Sequence, residues 1–219
     1  MMNTNVHKAL NDLSEGKIVI VTDHHNRENE GDFILAAEFA NASNINFMTI
    51  AGRGLICAPM TKSKAKVLNL PLMVKENECT YKTAFTVSID AKHNISSGIS
   101  AFDRAYTLKL LSMDECVSTD FTRPGHIFPL IACDGGIEER PGHTEATVDL
   151  LKLAELTPVG VICEIMNDHG EMARGSELDK ISEKFQITMI SIQEILDYKE
   201  MLRTVPPIIE NNVIDLQRH

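Results

Sequence analysis

Four short segments of this chain carry residue types that can do chemistry. The first reads Arg27-Glu28-Asn29-Glu30-Gly31-Asp32. Carboxylate oxygens at that density suit a hard cation such as Mg²⁺ or Mn²⁺, and the arginine can hold an anion in a two-pronged grip. The alternative is a solvated charged loop, which explains most runs of this kind. Position favours chemistry, because α/β proteins place ligands on loops leaving the C-terminal ends of strands. The second segment is Arg140-Pro141-Gly142-His143-Thr144-Glu145. Gly142 lets backbone approach a ligand, the helix that follows offers free N–H groups, and Arg140 and Thr144 add charge and a hydroxyl. That makes a phosphate cradle, with His143 as an adjacent metal ligand. An ordinary N-cap formed by Thr144, with His143 exposed, fits the same residues. The third is Glu164 within Val161-Ile162-Cys163-Glu164-Ile165-Met166. A carboxylate buried in so apolar a strand would gain a raised pKa suited to acid–base work, whereas a strand-end glutamate would simply face water. The fourth, Arg123-Pro124-Gly125-His126, is a turn whose lone histidine reads as structural unless something else recruits it.

Elements must hold these segments in place. Val6, Ala9, Leu10 and Leu13 recur at helical spacing and Gly16 can end that helix. The β-branched run 17–21 predicts a buried strand emptying into the polar segment 22–32. An apolar stretch, 33–40, follows, with Ser43 as the expected cap of a helix. A strand over 55–60 is expected to close at Pro59, with Thr61 opening a short helix. Residues 82–89 alternate loosely as another strand, 94–100 form a small-residue loop, and Phe102 to Leu111 a helix. The stretch 126–132 is strand-like, its Pro129 favouring an edge or a bulge. A patterned helix through Ala146 to Leu156 should stop at Pro158. A strand over 159–166, a helix over 176–185, a strand over 187–192 and a terminal helix complete the order. Alternating strands and helices without linker or repeat indicate one α/β (α+β) domain, a mixed sheet flanked by helices, over residues 1–204. Residues 205–219 read as a loosely ordered tail.

Composition narrows the function. The net charge of −10 argues against a nucleic-acid partner, which usually leaves a basic footprint, while a local basic cluster can still take a small anion. The five cysteines form no CxxC pair, so neither a zinc knuckle nor a disulfide framework is expected, and reduced thiols fit a cytoplasmic protein. Cys57, in an apolar strand, reads as a core thiol. No signal peptide and no apolar run near the ~18 residues of a membrane span is present, so no membrane partner is expected. Neither Gly135-Gly136 nor Ser96-Ser97-Gly98 matches a nucleotide-binding fingerprint.

Taken in order, RENEGD after the first strand, SSGISAFDRA, DFTRPGHIFPL, GG followed by RPGHTEATVDL, VICEIM and MARG resemble the 3,4-dihydroxy-2-butanone 4-phosphate synthases over about residues 5 to 200. Several long motifs in one order are far more specific than any single match. The resemblance implies a lyase of riboflavin biosynthesis that converts D-ribulose 5-phosphate to L-3,4-dihydroxy-2-butanone 4-phosphate and formate. It implies a homodimer with active sites at the subunit interface, Mg²⁺ or Mn²⁺ with two divalent ions per site, and no organic cofactor. Residue by residue, it places metal ligation on Glu28 and His143, sugar contacts on Arg27 and Asp32, and phosphate binding on Arg140, Pro141, Gly142, His143 and Thr144. His126 and Glu164 fall on the acid–base positions, Glu164 also touching substrate, and Cys57 lies near the site.

The chain departs from that pattern at Asp23-His24-His25-Asn26, where the family usually carries acidic residues, and at Ser96 and Ser97, where threonines are common. The family's frequent partner domain, GTP cyclohydrolase II, is not expected, since the chain ends soon after the synthase portion. Two other readings compete: a divergent paralogue enolising another sugar phosphate, favoured by His24-His25, and a non-catalytic homologue that only binds metal and sugar phosphate. The intact Arg27, Glu28, Asp32, His126, His143 and Glu164 argue against the latter.

Overall fold

A computed structural model describes residues 4–204. Helix α1 (Asn5–Ser14) starts where the Thr4 side chain accepts the His7 N–H at 3.2 Å, and it buries Val6, Ala9, Leu10 and Leu13. Strand β1 (Val19–Thr22) pairs antiparallel with β2 (Gly31–Ala36), leaving the acidic segment as the loop between them. Then come α2 (Ala42–Phe47), β3 (Cys57–Met60), α3 (Lys62–Val67), β4 (Ile89–Ala91) and α4 (Ala101–Ser112). The long β5 (Phe121–Ile131), α5 (His143–Leu153), β6 (Gly160–Glu164), α6 (Ser176–Phe185), β7 (Met189–Ser191) and α7 (Ile192–Thr204) complete the described residues.

The strands form one mixed sheet in the order β4-β5-β3-β6-β2-β1-β7. Only β1–β7 and β3–β5 run parallel. Helices α1, α5 and α7 cover one face, where Leu13, Val21, Ile34, Leu150 and Ile195 form a core. Helices α2, α3, α4 and α6 cover the other, over Phe33, Leu35, Met60, Leu108 and Leu178. Strand β2 is buried along its whole length, so its side chains contribute on both faces, roughly 1.5–3 kcal/mol for each large apolar one. Among the described residues no helix is long and apolar enough to cross a membrane.

Several expected boundaries shift. Asn41, not Ser43, caps α2, its side chain accepting the Asn44 N–H at 3.0 Å. Pro59 lies inside β3 instead of closing it. The pairing of β3 with β6 is recorded at Cys57–Ile162 and Met60–Val159, and the proline, with no N–H to donate, sits in the gap between. Residues 82–89 are mostly irregular, touching the sheet through Phe85–Leu130 and holding Lys82 at a φ of 53°; the regular strand is β4. Strand β5 is interior, which excludes the edge placement of Pro129, but its pairing with β4 does carry a register shift at Ile89/Asp90. The segment 123–126 therefore lies within β5 and is not a separate turn. Helix α5 ends at Leu153, ahead of Pro158, with Glu155 in the left-handed region. The expected tail, 205–219, lies outside the described residues.

Gly160 sets how closely α5 approaches the sheet. A Cβ there would run into Thr147 Cγ2 of α5 and stand 3.3 Å from Leu151 Cδ1. Thr147 is β-branched and stiff, so the helix rather than the side chain must move. Gly160→Ala is expected to lower stability by about 1–3 kcal/mol, the usual cost of overpacking, read as a lower urea midpoint with unchanged slope. An unchanged midpoint would show that the α5–β6 contact is loose.

Candidate active site

The loop between β1 and β2 is organised by one carboxylate. Asp23 is buried and accepts the N–H groups of Glu28 at 3.0 Å and Glu30 at 2.8 Å, and Arg27 Nη1 at 2.9 Å. Burial pushes its pKa up, but the N–H groups of Glu30 and Glu28 outweigh this and hold it below the ordinary value. Arg27 is pinned between Asp23 and Glu28. The Tyr81 hydroxyl donates to its carbonyl at 2.5 Å, and its guanidinium lies 4.9 Å from the centre of the Tyr81 ring. Glu28 is thereby aimed inward, while His24 and His25 stack on each other at the exposed tip, 4.0 Å between ring centres.

His143 is the first residue of α5 and is buried, not exposed. Its Nδ1 lies 3.7 Å from Glu28 Oε2 and 3.8 Å from Asp32 Oδ1. Burial disfavours the imidazolium, yet the Asp32 carboxylate and Glu28 more than compensate and raise its pKa to about 9. Asp32 is itself raised to about 7, first by burial and then by the negative charges of Glu164, Glu28 and Glu30, with His143 opposing. Asp32 Oδ1 and His143 Nε2 have no hydrogen-bond partner among the described residues. Two orphaned polar atoms amid surplus carboxylates are what a divalent cation would satisfy. Ligand atoms of Asp23, Glu28 and His143 lie within 4.8 Å of one another. Asp23 already spends its oxygens on the loop, which leaves Glu28 and His143 as the pair able to hold a metal.

Pairing of β2 with β6 sets Asp32 directly opposite Glu164. Glu164 is half-buried at its strand end and accepts the Leu55 N–H through Oε2 at 2.8 Å, so the strand-end position and the site position are the same place. These side chains line a cavity of about 210 Å³ with Arg27, Arg140 and Thr144, against an apolar wall of Cys57, Phe85, Leu130 and Ile162. Cys57 is thus both core thiol and cavity wall; burial, then the Glu164 and Asp32 charges, push its pKa well up, which keeps it a thiol. A larger groove of about 680 Å³ between α2 and α6 contains none of this cluster.

The Arg140–Thr144 segment differs from its simplest reading. Gly142, not Thr144, is the N-cap residue of α5, without a side-chain cap, so Thr144 is buried in the first turn and its hydroxyl is left for the cavity. Pro141 is exposed. Arg140 is not a free phosphate hook: Nη1 donates to the buried Glu145 at 2.5 Å, and Nη2 to Tyr81 O at 3.1 Å and Thr83 Oγ1 at 3.0 Å. A Cβ on Gly142 would meet Arg140 Nη1 and stand 3.0 Å from Arg27 Nη2, so both guanidinium groups converge on that glycine.

Arg27, Glu28, Asp32, Arg140, His143, Thr144 and Glu164 therefore meet in one cavity, and His126 does not. It sits in β5, its Nδ1 2.7 Å from Asp90 Oδ2, with 41% of its side chain exposed. The registers Cys57–Phe128 and Cys57–Ile162 put the approach to β3 between it and Glu164, roughly two strand spacings or 10 Å. Sequence reasoning missed Asp23, Tyr81, Thr83 and Glu145. Asp23 could have been found as a carboxylate ending a buried strand; Tyr81 and Thr83 carry no local signal.

Comparison with known proteins adds the family. The family model for 3,4-dihydroxy-2-butanone 4-phosphate synthase matches residues 7–198. A 3,4-dihydroxy-2-butanone 4-phosphate synthase of Wigglesworthia glossinidia brevipalpis is 49% identical over 193 residues, covering 88% of this chain and 91% of that one. A riboflavin biosynthesis protein RibBA of Bacillus cereus (strain G9842) is 50% identical over 200 residues, which are 91% of this chain but 50% of the relative. Among solved structures, a 3,4-dihydroxy-2-butanone 4-phosphate synthase in complex with two magnesium ions superposes with a TM-score of 0.87 at 37% identity, covering 90% of this chain and 97% of its own. By sequence and by fold alike, this chain belongs to the 3,4-dihydroxy-2-butanone 4-phosphate synthase family.

Proposed function

We propose that this protein is a lyase of riboflavin biosynthesis that converts D-ribulose 5-phosphate into L-3,4-dihydroxy-2-butanone 4-phosphate and formate. The observation carrying this reading is the pairing, in one small cavity, of the Glu28–His143–Asp32 cluster with two arginines and the uncapped start of α5. Glu28 and His143 are the residues that would hold Mg²⁺ or Mn²⁺, two ions per site, with no organic cofactor. The metal, when bound, polarises the ketone and neighbouring hydroxyls and so acidifies the C3 proton. Arg27 and Asp32 face the sugar hydroxyls. The first-turn N–H groups of α5, Thr144 and Arg140 hold the phosphate as a remote handle that fixes the position of the reacting carbons. Glu164, oriented by the Leu55 N–H, moves protons at the carbon skeleton as the C1 hydroxyl leaves as water, the skeleton rearranges, a water is added back and C4 departs as formate.

The acid–base residue His126 is assigned to the site of a second copy in a cytoplasmic homodimer. It lies on an exposed surface with Ile99 (53% exposed) and Phe102 (62%), apolar side chains a partner could cover. Formate release from ribulose 5-phosphate with Mg²⁺ tests the activity directly, and its absence under Mg²⁺ and Mn²⁺ alike would remove the proposal.

Glu28→Gln is expected to cut metal-dependent turnover by about 100-fold or more while leaving the unfolding midpoint within about 1 kcal/mol, since it deletes a ligand charge but keeps the shape. Near-normal turnover at low Mg²⁺ would remove Glu28 from the metal. Proton linkage gives a second expectation. With its pKa near 9, His143 carries a proton at pH 7.5 that a metal must displace, so binding should release protons and tighten as pH rises toward 9. Mn²⁺ titration in weak buffer with an indicator dye reads this; no release at pH 7.5, or release unchanged in His143→Gln, would contradict it. Arg140→Ala should raise KM strongly and also cost about 3 kcal/mol of stability, because it strands the buried Glu145 charge. Unchanged KM would leave Arg140 a purely structural residue.

A further inference from the structure

Asp90 sits at the register shift of β4, buried, with a side chain used twice on one residue. Its Oδ1 accepts the His126 backbone N–H at 2.8 Å, and its Oδ2 lies 2.7 Å from His126 Nδ1. The surroundings are built to keep this pair in place. Gly98, at a φ of 92°, closes over it: a Cβ there would collide with Asp90 Oδ2 and stand 2.6 Å from His126 Nδ1. Gly98 is fixed in turn by Asp103 of α4, which accepts the Gly98 N–H at 3.0 Å, the Ser96 N–H at 3.1 Å and the Ser96 hydroxyl at 2.7 Å. Behind the pair, Thr107 Oγ1 accepts the Ala91 N–H at 2.9 Å and ties β4 to α4.

We propose that Asp90 is a positioning residue of the reaction, which selects the tautomer of His126 and directs its Nε2 outward as the working proton acceptor. The inference rests on the acid–base role given to His126 above. A carboxylate has no hydrogen to give, so the ring nitrogen it faces must be the N–H, and the proton on Nδ1 leaves the Nε2 lone pair free. The second bond, to the backbone N–H, fixes the carboxylate itself and prevents it from turning to another partner. Asp90 is therefore to His126 what an orienting carboxylate is to any catalytic imidazole: it touches no reacting atom and acts through the ring.

Asp90→Asn separates this role from a structural one. The backbone N–H of His126 still needs an acceptor, so the amide oxygen turns to it and the amide NH₂ faces Nδ1. Nδ1 then becomes an acceptor and the proton moves to Nε2, inverting the tautomer while the fold keeps its bond. The expected result is a kcat lowered by about 100-fold or more with KM within about threefold, the scale of a lost general base. The ¹⁵N shifts of the His126 ring in intact protein, assigned with His126→Ala, should report Nδ1–H in the parent and Nε2–H in the variant. A kcat near the parent value with either tautomer, or a lowered kcat without the tautomer change, would overturn the proposal. The double variant with His126→Ala should be no slower than His126→Ala alone; a further loss would mean Asp90 acts elsewhere. An active His126→Ala would sink the role of His126 itself and this inference with it, whereas an inactive His126→Ala beside an active Asp90→Asn would sink only the inference.

Discussion

Burying an imidazole among carboxylates is costly for every group involved unless their charges are balanced. In this protein His143 is enclosed with Asp32 and Glu28, and Glu164 stands beside them, so carboxylates outnumber the imidazole even with Arg27 on Glu28. The imidazole responds by holding its proton, and Asp32 by giving up its own proton less readily than usual. That imbalance is the feature to which the rest of the site is fitted. It favours a divalent cation, it requires an orderly loop to carry Glu28, and it requires the start of α5 to be brought down against the sheet.

Both requirements are met by backbone as much as by side chains. Asp23 converts eight residues of polar loop into a fixed ledge by accepting two of its N–H groups and one arginine. The absence of a Cβ at Gly160 lets Thr147, and with it α5, approach β6 closely enough that His143 reaches Glu28 and Asp32. Positive charge is supplied to the cavity by Arg27 and Arg140, each held by a buried carboxylate and by Tyr81. Anchoring of this kind removes freedom from long side chains before a ligand arrives, which reduces the ordering cost of binding. A cavity that joins carboxylates, an imidazole and two anchored guanidinium groups suits a sugar phosphate better than a neutral sugar or a bare anion.

On one copy of the chain His126 stands apart from the cavity. His126, Asp90, Gly98 and the apolar Ile99 and Phe102 form a second constructed surface, displaced along the sheet from the cavity. In the homodimer proposed above, separation of acid–base groups onto two surfaces would make turnover depend on association.

Helices α1 and α6 and the run of β1 were legible because their apolar periodicity is local, and α6 falls over residues 176–185 as expected. Arg27, Glu28, Asp32 and the 140–144 segment could be singled out as candidates because α/β proteins place ligands where polar loops leave strands or open helices, and the structure brings Arg27, Glu28, Asp32, Arg140, His143 and Thr144 to one cavity. The family too was legible, from the order of its motifs. Residues 82–89 misled because loose alternation is shared by strands and by half-buried loops. What only the tertiary structure decided was which charges share a space. Arg140 meets Tyr81 and Thr83 across intervals of 59 and 57 residues, Asp32 meets Glu164 through strand pairing, and His126 meets Asp90 and not the cavity. Those encounters are set by sheet order and helix approach, and electrostatic interaction depends on distance and burial rather than on position along the chain.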